Sequence, residues 1–118
     1  LGRLTRPRLG LAGFRYDPRS GTSGVAPLIT RIEVIAAKAP DAAPSVWTPA
    51  AGTLFDHVSF SPDGEKLAAV LIDDGPARLA IFDVASGTAE VLATPIQAAW
   101  GRPCEWTGSD GLLCRLVP

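Results

Sequence analysis

Apolar and polar residues alternate along this chain in short runs, and every run ends at Gly, Pro, Asp or Ser. Period-two alternation with β-branched residues marks candidate strands near Leu9–Tyr16, Leu28–Ile35, His57–Phe60, Lys66–Ile72, Arg78–Val84, Ala89–Leu92, Pro103–Trp106 and Leu112–Val117. With 11 Pro and 12 Gly among 118 residues, a long helix has almost nowhere to form. The pattern predicts an all-β chain. Pro62-Asp63-Gly64 is a turn with a mechanism: the proline presets φ, Asp63 can bond the following backbone, and Gly64 accepts a positive φ. Asp73-Asp74-Gly75-Pro76 and Ala85-Ser86-Gly87 close the next two hairpins, so residues 57–93 read as a four-stranded meander. Pro40–Thr53 lacks alternation except around Trp47, and reads as a linker or a loop around one short strand.

One unit recurs. Phe60-Ser61-Pro62-Asp63-Gly64-Glu65-Lys66-Leu67 is echoed by Trp106-Thr107-Gly108-Ser109-Asp110-Gly111-Leu112-Leu113, with the aromatic residues 46 positions apart. An aromatic strand end, an Asp-Gly turn and an apolar strand at this spacing have the period of a propeller blade. A twisted meander has two faces and covers neither alone, so each blade buries its large residues against the next. Trp47, Phe60, Phe82, Trp100 and Trp106 are the candidate gap-fillers. Two copies also fit a β-sandwich with two Asp-Gly hairpins. The expectation is a partial β-propeller of about two four-stranded antiparallel blades and the start of a further one. Residues 1–8 form a basic arm, 9–56 a first, irregular blade, 57–93 a four-stranded blade and 94–118 the start of the next. A closed ring needs at least four blades, so a strand edge and a blade face should stand exposed.

Composition narrows the function. The chain is 47% hydrophobic and 19% charged, which excludes a disordered tail, and its net charge of −1 offers no footprint for nucleic acid. No apolar run approaches the roughly 20 residues of a membrane span. Five Arg and one acid in residues 1–19 make that end basic, but Pro7 and Pro18 break the run, and it reads as a solvated connecting arm. A chain opening on Leu1 and lacking Met is expected to have lost a leader or to have been cut from a longer protein.

Catalytic chemistry finds little support. His57 is the single histidine, and with Cys104 and Cys114 it has no zinc-ligand spacing. No Gly-x-Ser-x-Gly elbow exists; Ser20 and Ser23 lie in Gly-containing turn sequence without a base. Gly10-Leu11-Ala12-Gly13 lacks the ending of a phosphate loop. The pair Asp73-Asp74 reads as a solvated hairpin tip. No catalytic, cofactor-binding or metal-binding residue is therefore assigned. Pairing Trp106 with Leu112 sets Cys104 opposite Cys114, within disulfide range but on its short side. Because register can slip, two small buried apolar side chains are the preferred reading over a disulfide.

Three stretches carry a family resemblance: Leu9-Gly10-Leu11-Ala12-Gly13-Phe14-Arg15-Tyr16-Asp17-Pro18, then Val58-Ser59-Phe60-Ser61-Pro62-Asp63-Gly64-Glu65-Lys66-Leu67-Ala68, then Pro103-Cys104-Glu105-Trp106 leading into Leu112-Leu113-Cys114-Arg115-Leu116-Val117-Pro118. In this order they resemble the N-terminal region of prolyl oligopeptidase-type serine peptidases, closest to the glutamyl endopeptidase-like branch. The resemblance implies a propeller that caps a C-terminal α/β-hydrolase domain and filters peptide substrates by size. It implies a periplasmic or secreted protein, and it places no triad member on this chain. The loop after Asp17-Pro18 and the Ala/Pro-rich stretch 36–52 depart from the family pattern. On this reading the chain alone is no enzyme, and its partners are the hydrolase domain, the remaining blades and the peptide substrate. The alternative is a protein-binding propeller of the periplasmic scaffold type, with no hydrolase partner.

Overall fold

The computed structural model describes residues 9–11, 14–20, 22 and 29–118, with side chains from Asp17 onward. The basic arm 1–8, Ala12, Gly13, Gly21, Ser23, Gly24 and Leu28 lie outside the described residues. Among the described residues ten strands follow one another: β1 (Leu9–Leu11), β2 (Phe14–Tyr16), β3 (Ile32–Val34), β4 (Ser45–Trp47), β5 (Leu54–Phe60), β6 (Lys66–Ile72), β7 (Arg78–Asp83), β8 (Ala89–Pro95), β9 (Cys104–Trp106) and β10 (Leu112–Cys114). The fold is all-β and propeller-like. Strands β5-β6-β7-β8 form a four-stranded antiparallel meander, and β1-β2, β3-β4 and β9-β10 form antiparallel pairs.

The meander is placed between two neighbours. Strand β6, Lys-Leu-Ala-Ala-Val-Leu-Ile, is buried at every position after its first because both of its faces are covered. Leu67, Ala69 and Leu71 join Phe55, Ala80 and Phe82 on the face packed by Trp47, Ile32 and Val34 of the β3-β4 pair. Ala68, Val70 and Ile72 join Leu79 on the opposite face, against Cys104, Trp106, Leu112 and Cys114 of the β9-β10 pair. Trp47 is the centre of the first interface, stacked on Phe82 with ring centroids 5.1 Å apart and tilted against Phe55 at 4.4 Å. Aromatic pairs at such separations add to the burial of apolar area. Of the expected gap-fillers, Trp47 and Phe82 are buried and Trp106 is half-buried, whereas Phe60 and Trp100 are exposed. Phe55, buried completely, takes a place in the stack that the alternation did not single out.

The reason is a bulge in β5. Asp56 pairs with Val70 and Ser59 with Ala68, so His57 and Val58 together oppose one residue. His57 adopts φ of 48°, a left-handed conformation uncommon for a residue with a side chain. The extra residue changes the phase of the strand. Phe55 and Val58, three apart, reach the same face, while Ser59 turns to the other and accepts a hydrogen bond from Trp106 Nε1 at 3.2 Å. Strict alternation would start the strand at His57; the bulged strand starts three residues earlier.

The N-terminal stretch corrects a second expectation. Joined across residues 17–24, the stretches Leu9–Tyr16 and Leu28–Ile35 would be paired strands, but Leu9–Tyr16 does not run as one strand. Leu9 pairs with Tyr16 and Leu11 with Phe14, so the segment doubles back on itself. Pairing over so short a loop costs less closure entropy than pairing across residues 17–24. Within the other stretch, Ile29 exchanges two backbone hydrogen bonds with Phe55 at the free edge of β5, and Ile32–Val34 pairs instead with β4, Ile32 opposite Trp47. The turn after β2 is held on the meander: Asp17 N donates to Thr22 O and Ala77 N to Ser20 O.

Two measurements of unfolding by urea test this packing. Trp47→Ala should destabilise the chain by about 3–5 kcal/mol, and Phe60→Ala, half of whose ring surface is already wet, by about 1 kcal/mol or less. At the bulge, His57→Val should cost about 1–2 kcal/mol more than His57→Gly, because a β-branched residue is poorly accommodated at positive φ.

Candidate functional site

The two copies of the repeat meet in space. In the first turn Asp63 Oδ1 accepts from Ser61 Oγ at 2.6 Å and from Glu65 N at 3.1 Å, and Gly64 takes φ of 76°, as its position requires. In the second, Thr107 N donates to Gly111 O, and a Cβ on Gly111 would lie 2.5 Å from Thr107 Oγ1, so a larger residue there would have to displace the Thr107 side chain. Lys66 Nζ, at the base of the first turn, donates to Asp110 Oδ1 of the second at 2.8 Å. The turns lie side by side, the arrangement expected of successive stacked blades.

These contacts set the charge states around the turns. The Ser61 hydroxyl, then the Glu65 amide, hold the Asp63 carboxyl below its usual 3.8. The Ser86 amide, then its hydroxyl, lower Asp83 in the same way. The hydrogen bond to Asp110 and its charge raise Lys66 above its usual 10.5. All three groups are solvated, so the contacts tune the turns and salt screens them.

The chemically reactive residues do not converge. Half-buried His57 lies at the bulge with Nε2 3.6 Å from Asp56 Oδ2, and its own backbone N–H donates to Asp56 Oδ1 at 2.8 Å. Ser20 is buried, its hydroxyl 2.8 Å from that of Thr22. Asp73, expected to be a solvated tip, is half-buried: Oδ1 accepts from Gly75 N and Oδ2 from Arg78 Nη2 at 2.6 Å, bracing the hairpin. Among the described residues no group of three His, Cys, Asp or Glu is placed to hold a metal ion. Among the described residues no helix is long and apolar enough to cross a membrane.

The two cysteines overturn the preferred reading. The register is the expected one, Leu112 opposite Trp106 and Cys114 opposite Cys104, and the sulfurs are bonded. Backbone bonds join Arg115 to Pro103 and Thr107 to Gly111, so the Cys104–Cys114 pair falls at a non-hydrogen-bonded position. Such positions bring Cα atoms closest, here 4.2 Å, which lets the sulfurs meet. Closing a loop of this size is worth about 2–3 kcal/mol in the chain-entropy description.

An apolar concavity flanks the β9-β10 pair. The two-stranded β9-β10 pair covers β6 and β7 but leaves β8 uncovered, and a groove of about 480 Å³ remains between them. Leu79 and Ile96 belong to its buried floor; Leu92, Leu113 and Leu116, all exposed, line its sides. Strand β8 is exposed along nearly its whole length. The expected open flank is therefore this groove with the free edge of β10. Alternation could announce an unfinished sheet, but only packing reveals which strand goes uncovered.

Comparison with family models, with curated proteins and with solved structures finds no match. The geometry defines a class, an all-β stack of antiparallel sheets with a propeller-like central meander.

The pH dependence of stability follows from the turn contacts. The contributions of Asp63 and Asp83 are present above pH 3.8 and lost as pH falls through their lowered values. That of Lys66 is present below pH 10.5 and lost as pH rises through its raised value. In thermal melts at low salt, Asp110→Asn should flatten the alkaline loss and leave the acid loss in place, while Ser61→Ala should weaken the acid loss.

Proposed function

We propose that this chain is a non-catalytic part of the propeller of a serine peptidase of the prolyl oligopeptidase type, where stacked blades shape and gate access to an α/β-hydrolase domain. The observation that carries the reading is the two-sided burial of the central meander. A sheet covered on both faces by strands of neighbouring sheets, with two Asp-Gly turns in register side by side, is what blade stacking requires. The sequence resemblance supplies the enzyme class. The apolar groove beside β10 supports it further, because a two-stranded pair facing a four-stranded sheet leaves room for more strands of the same layer. In this role the chain contributes wall and shape, and its substrate selectivity is steric.

Assay and stability test the reading together. Leu113, 70% exposed, should tolerate Leu113→Asp in the isolated chain with a change of about 0.5 kcal/mol or less, whereas in the intact parent protein the same substitution should lower the melting temperature as a buried charge does. The isolated chain should hydrolyse no peptide, and the parent should cleave short peptides but spare folded proteins. A parent reading frame with blades alone, lacking a Gly-x-Ser-x-Gly elbow followed by Asp and His, would replace the peptidase with a scaffold propeller.

A further inference from the structure

The Cys104–Cys114 bond has two unlike sides. Cys104 is buried in the apolar cluster between the meander and the β9-β10 pair, at 6% exposure. Cys114 packs against that cluster from its rim and lines both the apolar groove and a second surface groove that Arg102 and Glu105 also line. The strands that the bond joins are three residues long, and a pair that short is marginal without support. Trp106 Nε1 to Ser59 Oγ and Lys66 Nζ to Asp110 Oδ1 hold the pair at its turn end, and its remaining ties lie close to the bond. Arg115 Nη2 donates to Trp100 O at 2.6 Å and to Arg102 O at 2.9 Å, and Gln97 N donates to Arg115 O at 2.8 Å. The meander does not share this dependence, since its strands are longer and Trp47 packs on its far face.

We propose that the Cys104–Cys114 disulfide is a redox-sensitive clasp, opened from the Cys114 side by a dithiol reductant, whose reduction releases the β9-β10 pair from the meander and widens the apolar groove. A thiolate of the reductant attacks Cys114 Sγ. A mixed disulfide forms there, the Cys104–Cys114 bond breaks, and its electron pair goes to Cys104 Sγ, which takes a proton from water. The reductant's second thiolate then attacks its own sulfur in the mixed disulfide and closes the reductant's internal disulfide. Cys114 leaves as a thiolate and is protonated. Two electrons pass from the dithiol to the protein, which holds two thiols afterwards. Attack at Cys114 follows from access, because Cys104 is shielded by the cluster. The clasp does not rest on the propeller reading and holds for the chain whatever its parent does.

Limited trypsin digestion of the whole chain, oxidised and then reduced with dithiothreitol, tests the proposal. Cleavage after Arg115 should accelerate about tenfold or more on reduction, while cleavage after Arg78, inside β7, should stay slow. The double variant Cys104→Ser, Cys114→Ser should digest like the reduced protein without reductant. Brief exposure of the oxidised chain to glutathione, quenched with acid and read by peptide mass mapping, should trap the mixed disulfide on Cys114. Unchanged cleavage at Arg115 after confirmed reduction would overturn the clasp, as would simultaneous cleavage at Arg78, which would make the bond a support of the whole fold. A mixed disulfide trapped equally on both cysteines, or mainly on Cys104, would overturn attack from the Cys114 side.

Discussion

The structure depends on the absence of a solvent face on the central meander. Most sheets of this size alternate an apolar and a polar side, but β6 and β7 present small and branched apolar residues on both. Water must therefore be excluded twice, once by Trp47 and the β3-β4 pair and once by Trp106, Leu112 and the cysteines. Burial of this kind is the dominant favourable term in folding. Short strands that would not persist alone are held because the meander needs covering. The β5 bulge serves the same requirement, turning Phe55 and Val58 to one cover and Ser59 to the other.

Polar contacts set the alignment of the layers. The bond from Lys66 to Asp110, the Ser61–Asp63 turn and the hydrogen bond from Trp106 to Ser59 lie along the same flank of the stack. Solvated charge contacts contribute little to stability but penalise a sliding register, since a displaced hairpin would leave its donors and acceptors mismatched. The disulfide acts at the opposite end of the β9-β10 strands from the Asp-Gly turn, so this thin layer is fastened at both ends. What it leaves open, along β8, is the apolar groove.

Chemistry in this chain is dispersed. The single histidine is bound up in a bulge, the half-buried Asp73 braces a turn, and the buried Ser20 hydroxyl bonds another hydroxyl. These polar side chains are engaged locally, with backbone or with a neighbouring side chain, the usual fate of such groups at sheet edges and turns. The groove beside β8 is an apolar concavity with exposed leucines at its rim.

Local rules were enough to read much of this from residue order. Pro62-Asp63-Gly64 could be assigned a turn and Gly64 a positive φ because those preferences belong to the residues themselves. The meander, the 46-residue echo and the register of Cys104 against Cys114 followed from period-two patterning and loop length. The open flank was legible as an unfinished sheet, though not its position beside β8. Tertiary structure alone decided the rest. Alternation places Phe55 and Ser59 on one face, and only the joint demand of two covering layers makes the bulge at His57 the better solution. The folding back of Leu9–Tyr16 and the oxidation of the cysteine pair were likewise settled by competition. Closure entropy, packing and the approach of two Cα atoms to 4.2 Å are properties of an assembled chain, and no single residue carries them.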